Sequence, residues 1–180
     1  MIDPWSPVLG FDEAAEECAF LLLDAARDEA LYPMLYDLDE DLLIQSLYQG
    51  DTAVTLAEVA PYLVALRPGD EAARRLHDLI WGNGWGMLLH APLSFSAVRR
   101  HLRKFTLVFT EAGSGLVFRF YDPRVLQIFL PTCEPADACK LIGPLRWIAP
   151  GPQPHQATIY EVVEGQARTT TVALALSEAG

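Results

Sequence analysis

The sequence has few cysteines, few basic residues and no long hydrophobic run. Cys18, Cys133 and Cys139 are its only three cysteines, and their spacing fits neither a zinc site nor a redox pair. The longest aliphatic run covers residues 19–23, far short of the roughly 20 residues that span a bilayer. The first residues carry acids and no Lys or Arg, which is not typical of an export signal. We therefore expect a cytoplasmic protein with free thiols and no membrane association.

Motifs for catalysis and for ligand binding are also missing. The sequence contains no G-x-S-x-G elbow and no H-E-x-x-H, and its histidines never stand four residues apart. The glycine-rich "WGNGWG" at 81–86 lacks the Lys-Ser/Thr ending of a phosphate-binding loop, and "DLDED" at 37–41 lacks the Gly and Glu of a calcium loop. We expect no catalytic residue, no metal and no cofactor.

Positive charge is scarce. The chain has 24 acids against 13 Lys and Arg, and residues 1–80 alone hold 17 acids against 4 Lys and Arg. Such a field repels phosphate backbones, so we expect no nucleic-acid partner. A basic stripe on one predicted helix, Arg99, Arg100, Arg103 and Lys104, leaves an RNA-binding module as a weaker hypothesis. Exposure to solvent, or pairing with the acidic half, explains this stripe more simply.

The hydrophobic pattern, at 51% of residues, predicts a mixture of strands and helices. Strands are expected at 20–23, 43–48, 60–66, 86–91 and 144–149, with one hairpin between 105–109 and 116–121 and another around Glu164-Gly165. Helices are expected from Asp70 to Gly82, after Ser94, after Asp122-Pro123 until Pro131, and over 135–142. These elements predict an α+β fold with a mixed or mostly antiparallel sheet, packed helices and a C-terminal β-hairpin.

One polar set is the best candidate for chemistry. Asp24, Arg27 and Asp28 follow the first predicted strand, and "RFYDPR" supplies Arg119, Asp122 and Arg124. Helix capping and ion pairing explain these residue types without a ligand. The alternative is a small-molecule-binding or hydrolytic enzyme with a site around Asp24, Asp122 and Arg124.

Six phrases occur in an order that resembles one protein family, the effector-loading adaptor chaperones of bacterial type VI secretion. These phrases are "LLLDAARDEALYPMLYD", "AEVAPYLVAL", "WGNGWGMLL", "RRHLRKF", "FRFYDPRVLQIFLPT" and "IGPLRWI". The similarity covers about residues 20–148 of one domain spanning 1–180, with a C-terminal hairpin extension at about 151–176. It implies a cytoplasmic protein without catalysis that binds one toxic effector and promotes its loading onto the spike protein.

The resemblance and the residue types together give the expected contact residues. Trp81, Trp85, Arg119, Tyr121 and Arg124 are the predicted partner-binding residues, because aromatic side chains and Arg dominate interface energetics. The family pattern also contains Asp24, Arg27, Asp122 and Pro123, for which we predict a structural role. The acidic N-terminal half favours a basic or amphipathic effector segment.

Overall fold

An antiparallel sheet of seven strands forms the centre of the computed structural model, which describes residues 3, 4, 6, 18–36, 38, 42–110 and 113–174. The strands are β1 (Cys18–Asp24), β2 (Ile44–Ser46), β3 (Pro61–Leu66), β4 (Gly86–Ala91), β5 (Leu107–Phe109), β6 (Gly115–Val117), β7 (Arg146–Pro150), β8 (Gln156–Val163) and β9 (Gln166–Ala173). The helices are α1 (Leu31–Tyr36), α2 (Gly50–Thr55), α3 (Glu71–Asn83), α4 (Phe95–Arg103), α5 (Pro123–Phe129) and α6 (Pro135–Ile142). The central sheet has the order β2-β3-β1-β4-β7-β8-β9, and β5 and β6 form a separate hairpin. The predicted α+β fold is confirmed.

Strand β1 divides the core into two halves. Successive side chains of a strand point to opposite faces of the sheet. Leu21 and Leu23 therefore pack with residues of α1 and α3, whereas Phe20 and Leu22 pack with residues of α4, α5 and α6. The sheet is thus covered by helices on both faces, and the second face is the one that also meets the segment after β6.

Local sequence signals set most helix boundaries. Asp70, Ser94 and Asp122 each accept a hydrogen bond from a backbone N–H in the first turn of α3, α4 and α5, as predicted. Helix α3 does not end at Gly82, however. It continues to Asn83, because Gly84 takes the left-handed conformation (φ 63°) and its N–H caps the helix.

The first predicted hairpin is shorter than expected. Strand β5 does not include residues 105 and 106, and β6 ends at Val117, so the segment from Phe118 to Tyr121 lies outside the strand. The strand ends early because Phe120 is fully buried against Phe105 and Trp147, so the chain leaves the hairpin and enters the core. The prediction that the second strand of this hairpin continues through residue 121 is wrong.

The C-terminal hairpin is confirmed and belongs to the main sheet. Strand β8 pairs with β7 as well as with β9, so the hairpin extends the central sheet rather than standing apart from it. The two-residue turn contains Glu164 and Gly165, both with positive φ (52° and 77°), as the favoured hairpin turn requires.

Candidate functional site

A buried carboxylate at the end of β1 holds the segment after β6 in place. Asp24 has no exposed surface, and its Oδ2 accepts a short hydrogen bond from Nη2 of Arg119. Its Oδ1 accepts a bond from the N–H of Ala26 at 3.2 Å. Burial raises the pKa of Asp24, and the hydrogen bond and charge of Arg119 oppose that rise. The pair therefore fastens two segments that are 95 positions apart.

A second carboxylate begins α5. Asp122 accepts hydrogen bonds from the backbone N–H of Arg124 at 3.0 Å, from its Nε at 3.0 Å and from its Nη2 at 2.6 Å. Burial opposes ionisation, but these hydrogen bonds, the charge of Arg124 and the charge of Arg27 together lower the pKa of Asp122. Pro123 occupies the first turn, where its missing N–H costs nothing. The structural role predicted for Asp122 and Pro123 fits these contacts.

The enzyme alternative places its site on these same residues. The structure does bring Asp24 and Asp122 close enough to influence each other electrostatically, with Arg119 and Arg124 beside them. Each carboxylate accepts hydrogen bonds from an Arg side chain and from a backbone N–H, and both residues are buried, so neither is presented to a substrate. This arrangement supports bracing of the fold better than acid–base chemistry.

Tyr121 does not lie on the surface. Only 1% of the residue is exposed, and its ring packs in the core cluster of the second sheet face. Its hydroxyl lies 3.3 Å from the hydroxyl of Tyr48, which ties the α5 side of the fold to the connection before α2. Tyr121 therefore does not offer the surface contact that we predicted.

The two tryptophans lie on the other layer. Trp81 and Trp85 are half-buried and pack against the core cluster of α1 and α3. The carbonyl of Trp85 accepts a hydrogen bond from the N–H of Asp24 at 3.0 Å, so the backbone of this residue contacts the polar set. The side chains of Arg119 and Arg124, two further predicted contact residues, are 42% and 59% exposed.

The basic stripe on α4 performs an internal task that its composition does not indicate. Arg99 donates from Nε and Nη2 to the carbonyl oxygen of Ser46, at 2.8 and 2.6 Å, and Arg103 donates from Nε to that of Leu47 at 3.1 Å. These bonds hold the connection between β2 and α2 against α4. The sequence left exposure to solvent and pairing with the acidic half as the two simpler explanations of this stripe. The partners of these two arginines are instead neutral carbonyls, and neither arginine forms an ion pair with a carboxylate of the described residues.

The sequence reasoning missed an exposed apolar surface. Hairpin β5–β6 leaves Leu107, Phe109 and Val117 exposed, at 47%, 69% and 58%. Between this hairpin and α2 lies a groove of about 260 Å³, which we call the hairpin groove; its lining includes Thr52, Leu56, Arg103, Thr106, Leu107 and Val117. The signal was present in "TLVF" and "GLVF", because apolar residues at successive strand positions put apolar side chains on both faces, and a two-stranded hairpin cannot bury both.

A larger cleft of about 450 Å³ lies beside α1. It is lined by three tyrosines, Tyr32, Tyr36 and Tyr62, together with Leu35, Leu38, Leu42 and Ile44. The hydroxyls of Tyr32 and Tyr36 are 2.6 Å apart, and that of Tyr62 donates to the carbonyl of Ala57 at 3.0 Å.

The described residues contain no group of three or more His, Cys, Asp or Glu that could hold a metal ion. Among the same residues, no helix is long and apolar enough to cross a membrane.

Comparison with known proteins identifies the family. Residues 19–140 match the family described as "Domain of unknown function (DUF4123)", and the chain belongs to this family. No curated protein matches the chain, and no solved structure matches it. The matched region runs from β1 into α6, so it contains the polar set, the basic face of α4 and the hairpin groove.

Proposed function

We propose that the protein is a cytoplasmic adaptor chaperone of type VI secretion, which binds a specific toxic effector and promotes its loading onto the spike protein without catalysis. The six ordered phrases that resemble this class of chaperone span about residues 20–148 and overlap nearly all of the family match at 19–140. The proposal is thus made for the part of the chain that carries the family match.

The observation that carries this proposal is the exposed apolar surface of hairpin β5–β6. A soluble monomer seldom exposes several large apolar side chains side by side without a partner to cover them. Here Leu107, Phe109 and Val117 lie next to one another on a hairpin that packs little of itself into the core. Binding to another protein is the function that such a surface supports best.

The polar set supports binding rather than catalysis. Asp24 and Asp122 accept hydrogen bonds from Arg119, from Arg124 and from backbone N–H groups. A nucleophile, a base and a group that orients the base would have to meet at one point for hydrolysis. In our proposal these ion pairs keep the connection between β6 and α5 rigid and so position the surfaces on either side of it.

The experiment is reconstitution with the neighbouring genes, since chaperones of this class are typically encoded beside their spike and effector. The tagged protein is co-expressed with the adjacent toxin and spike proteins, and each complex is isolated by affinity and size-exclusion chromatography. We expect a stable complex with the toxin, and a ternary complex when the spike protein is added. Retention of neither protein would refute the proposal.

A matched assay addresses the enzyme alternative. The parent protein and an Asp122→Asn/Arg124→Ala variant are tested for turnover over a panel of esters, phosphoesters and glycosides. We expect no turnover by the parent. Turnover that the folded variant loses would instead place a catalytic site at the polar set.

A further inference from the structure

The hairpin groove has one strongly apolar wall. Leu107 pairs with Val117 across the hairpin, and Phe109 pairs with Gly115. A Cβ atom at Gly115 would lie 3.4 Å from Cδ1 of Leu107 and 3.6 Å from Cε1 of Phe109, so both side chains lie on the face of this glycine. Val117 shares that face because cross-strand partners point to the same side. The three side chains therefore form a continuous apolar strip. Leu107 and Val117 of this strip line the groove together with Leu56, the residue that follows α2, and Phe109 extends the strip beyond the groove.

One cation lines the hairpin groove, and three more lie close to it in the sequence. Arg103 lines the groove, Arg99 and Arg100 precede it on α4, and Lys104 directly follows the helix. None of these four cations forms an ion pair with a carboxylate of the described residues. The C-terminal end of the α4 dipole and two backbone carbonyls offset only part of this charge. In a chain with a net charge of -11, the apolar strip thus lies beside cations that the described carboxylates do not pair.

From this juxtaposition we propose that the hairpin groove docks an acidic amphipathic segment of the secreted effector. The inference rests on the proposed function and specifies its partner. Apolar side chains of the segment cover Leu107, Phe109 and Val117, and its carboxylates face Arg100, Arg103 and Lys104. The overall acidity of the chain suggested a basic effector segment, but the cations near the groove favour an acidic one. Charges a few Å from the segment act on it more strongly than charges beyond a Debye length of about 8 Å, which salt screens. The effector is the occupant because a loading chaperone must hold it before the spike protein is reached.

The first test measures the affinity of the purified neighbouring effector for Leu107→Asp/Phe109→Asp. These side chains are exposed, so the variant should keep the unfolding temperature of the parent, measured by circular dichroism. We expect the affinity to fall by about tenfold or more, the usual effect of altering central apolar contacts. The matched control is Ile128→Asp, which changes an exposed apolar residue (72%) on α5 and should leave the affinity unchanged.

The second test reverses charge without touching the apolar strip. Arg100 and Lys104 are exposed, so Arg100→Glu/Lys104→Glu should fold normally. We expect weaker binding at low salt and a flatter dependence of affinity on salt than in the parent. Arg67→Glu, in the exposed connection between β3 and α3 on the other layer, is the control. Overlapping peptides of the effector should show binding by apolar peptides with net negative charge.

The results separate the two proposals. Effector binding that both groove variants leave unchanged, or peptide binding confined to basic sequences, overturns the docking inference and leaves the chaperone function standing. If the groove variants lose only spike binding, the occupant is the spike protein and the docking inference is overturned. If the parent is a dimer that Leu107→Asp/Phe109→Asp dissociates, the occupant is a second copy of the chain and the inference is overturned as well. Failure of the parent to bind the effector at all overturns both proposals.

Discussion

Removal of the Arg119 side chain tests how much the ion pair between Arg119 and Asp24 stabilises the fold. In Arg119→Ala, Asp24 keeps only the N–H of Ala26, 3.2 Å away, while its carboxylate stays fully buried. Loss of one partner from a fully buried ion pair costs about 3–5 kcal/mol, chiefly because the other charge is left uncompensated. The Arg119 side chain is 42% exposed, so water can reach the vacated space. We therefore expect a loss of about 2–3 kcal/mol in the free energy of unfolding.

This loss should depend on pH in a defined direction. The folded protein raises the pKa of Asp24 above its ordinary value of 3.8, and removal of Arg119 raises it further. A folded state that holds a carboxyl proton more tightly than the unfolded state gains stability below the unfolded pKa. That gain disappears as the pH rises through the folded pKa. The deficit of Arg119→Ala should therefore be largest near neutral pH and should shrink as the pH falls toward 4.

Urea unfolding and thermal melts of the purified protein measure both effects. For a chain of this length, a loss of 2–3 kcal/mol corresponds to a fall of roughly 4–12 °C in the melting temperature. Adding Asp24→Asn should recover part of the loss, because it removes the uncompensated charge. Arg75→Ala, which removes an exposed partner of Glu71, is the control and should change stability by less than about 0.5 kcal/mol. Equal stability of Arg119→Ala and the parent at pH 7 would refute the bracing role.

Three further predictions concern the stability of the fold. Gly86→Ala should destabilise the fold by about 3 kcal/mol or more, because the added methyl group would lie only 2.9 Å from Cα of Leu23. Gly82→Ala should instead stabilise it by about 0.5–1 kcal/mol, because Gly82 lies in helix α3 with free space around it. Urea unfolding compares the two variants. Asp70→Ala should cost about 1 kcal/mol by removing the cap of α3, and an undiminished melting temperature would contradict this. Burial lowers the pKa of His90 to about 4, so NMR titration should find this side chain neutral at pH 6. Acidification from pH 6.5 toward pH 4 should progressively destabilise the fold, because the unfolded chain then binds the proton more readily than the folded one. A His90 that titrates near pH 6.5 would contradict the burial argument.

Elements with strong local signals could be predicted from the sequence. Strand β4 and helix α6 lie where the pattern put them, since the one is a continuous apolar run and the other is bounded by Pro135 and Gly143. Helix α2 was missed because it gives no such signal. It begins at Gly50, has no side-chain cap, and consists mainly of residues with modest helix propensity.

The errors at the candidate site arose from contacts that are distant in sequence. The alternation from Phe118 to Tyr121 suggested a strand that exposes Tyr121, but the aromatic core buries it and Tyr48 meets its hydroxyl. A single sequence carries no signal for a partner 73 positions away, whereas the cap at Asp122 was predictable because its hydrogen bonds lie within two residues.

The basic face of α4 shows why a charged stripe cannot be assigned to a ligand from its composition. Arg99 and Arg103 hold the connection before α2, and α2 forms one side of the hairpin groove, so these two side chains shape the surface that we assign to the effector. Their substitution would move α2 and remove charge at once, and a loss of binding could not separate the two causes. Arg100 and Lys104 lie at the same end of the helix and are exposed, so their reversal changes the field of the groove while its walls stay in place. Arg100→Glu/Lys104→Glu is therefore the variant that tests electrostatic recognition separately from the shape of the groove.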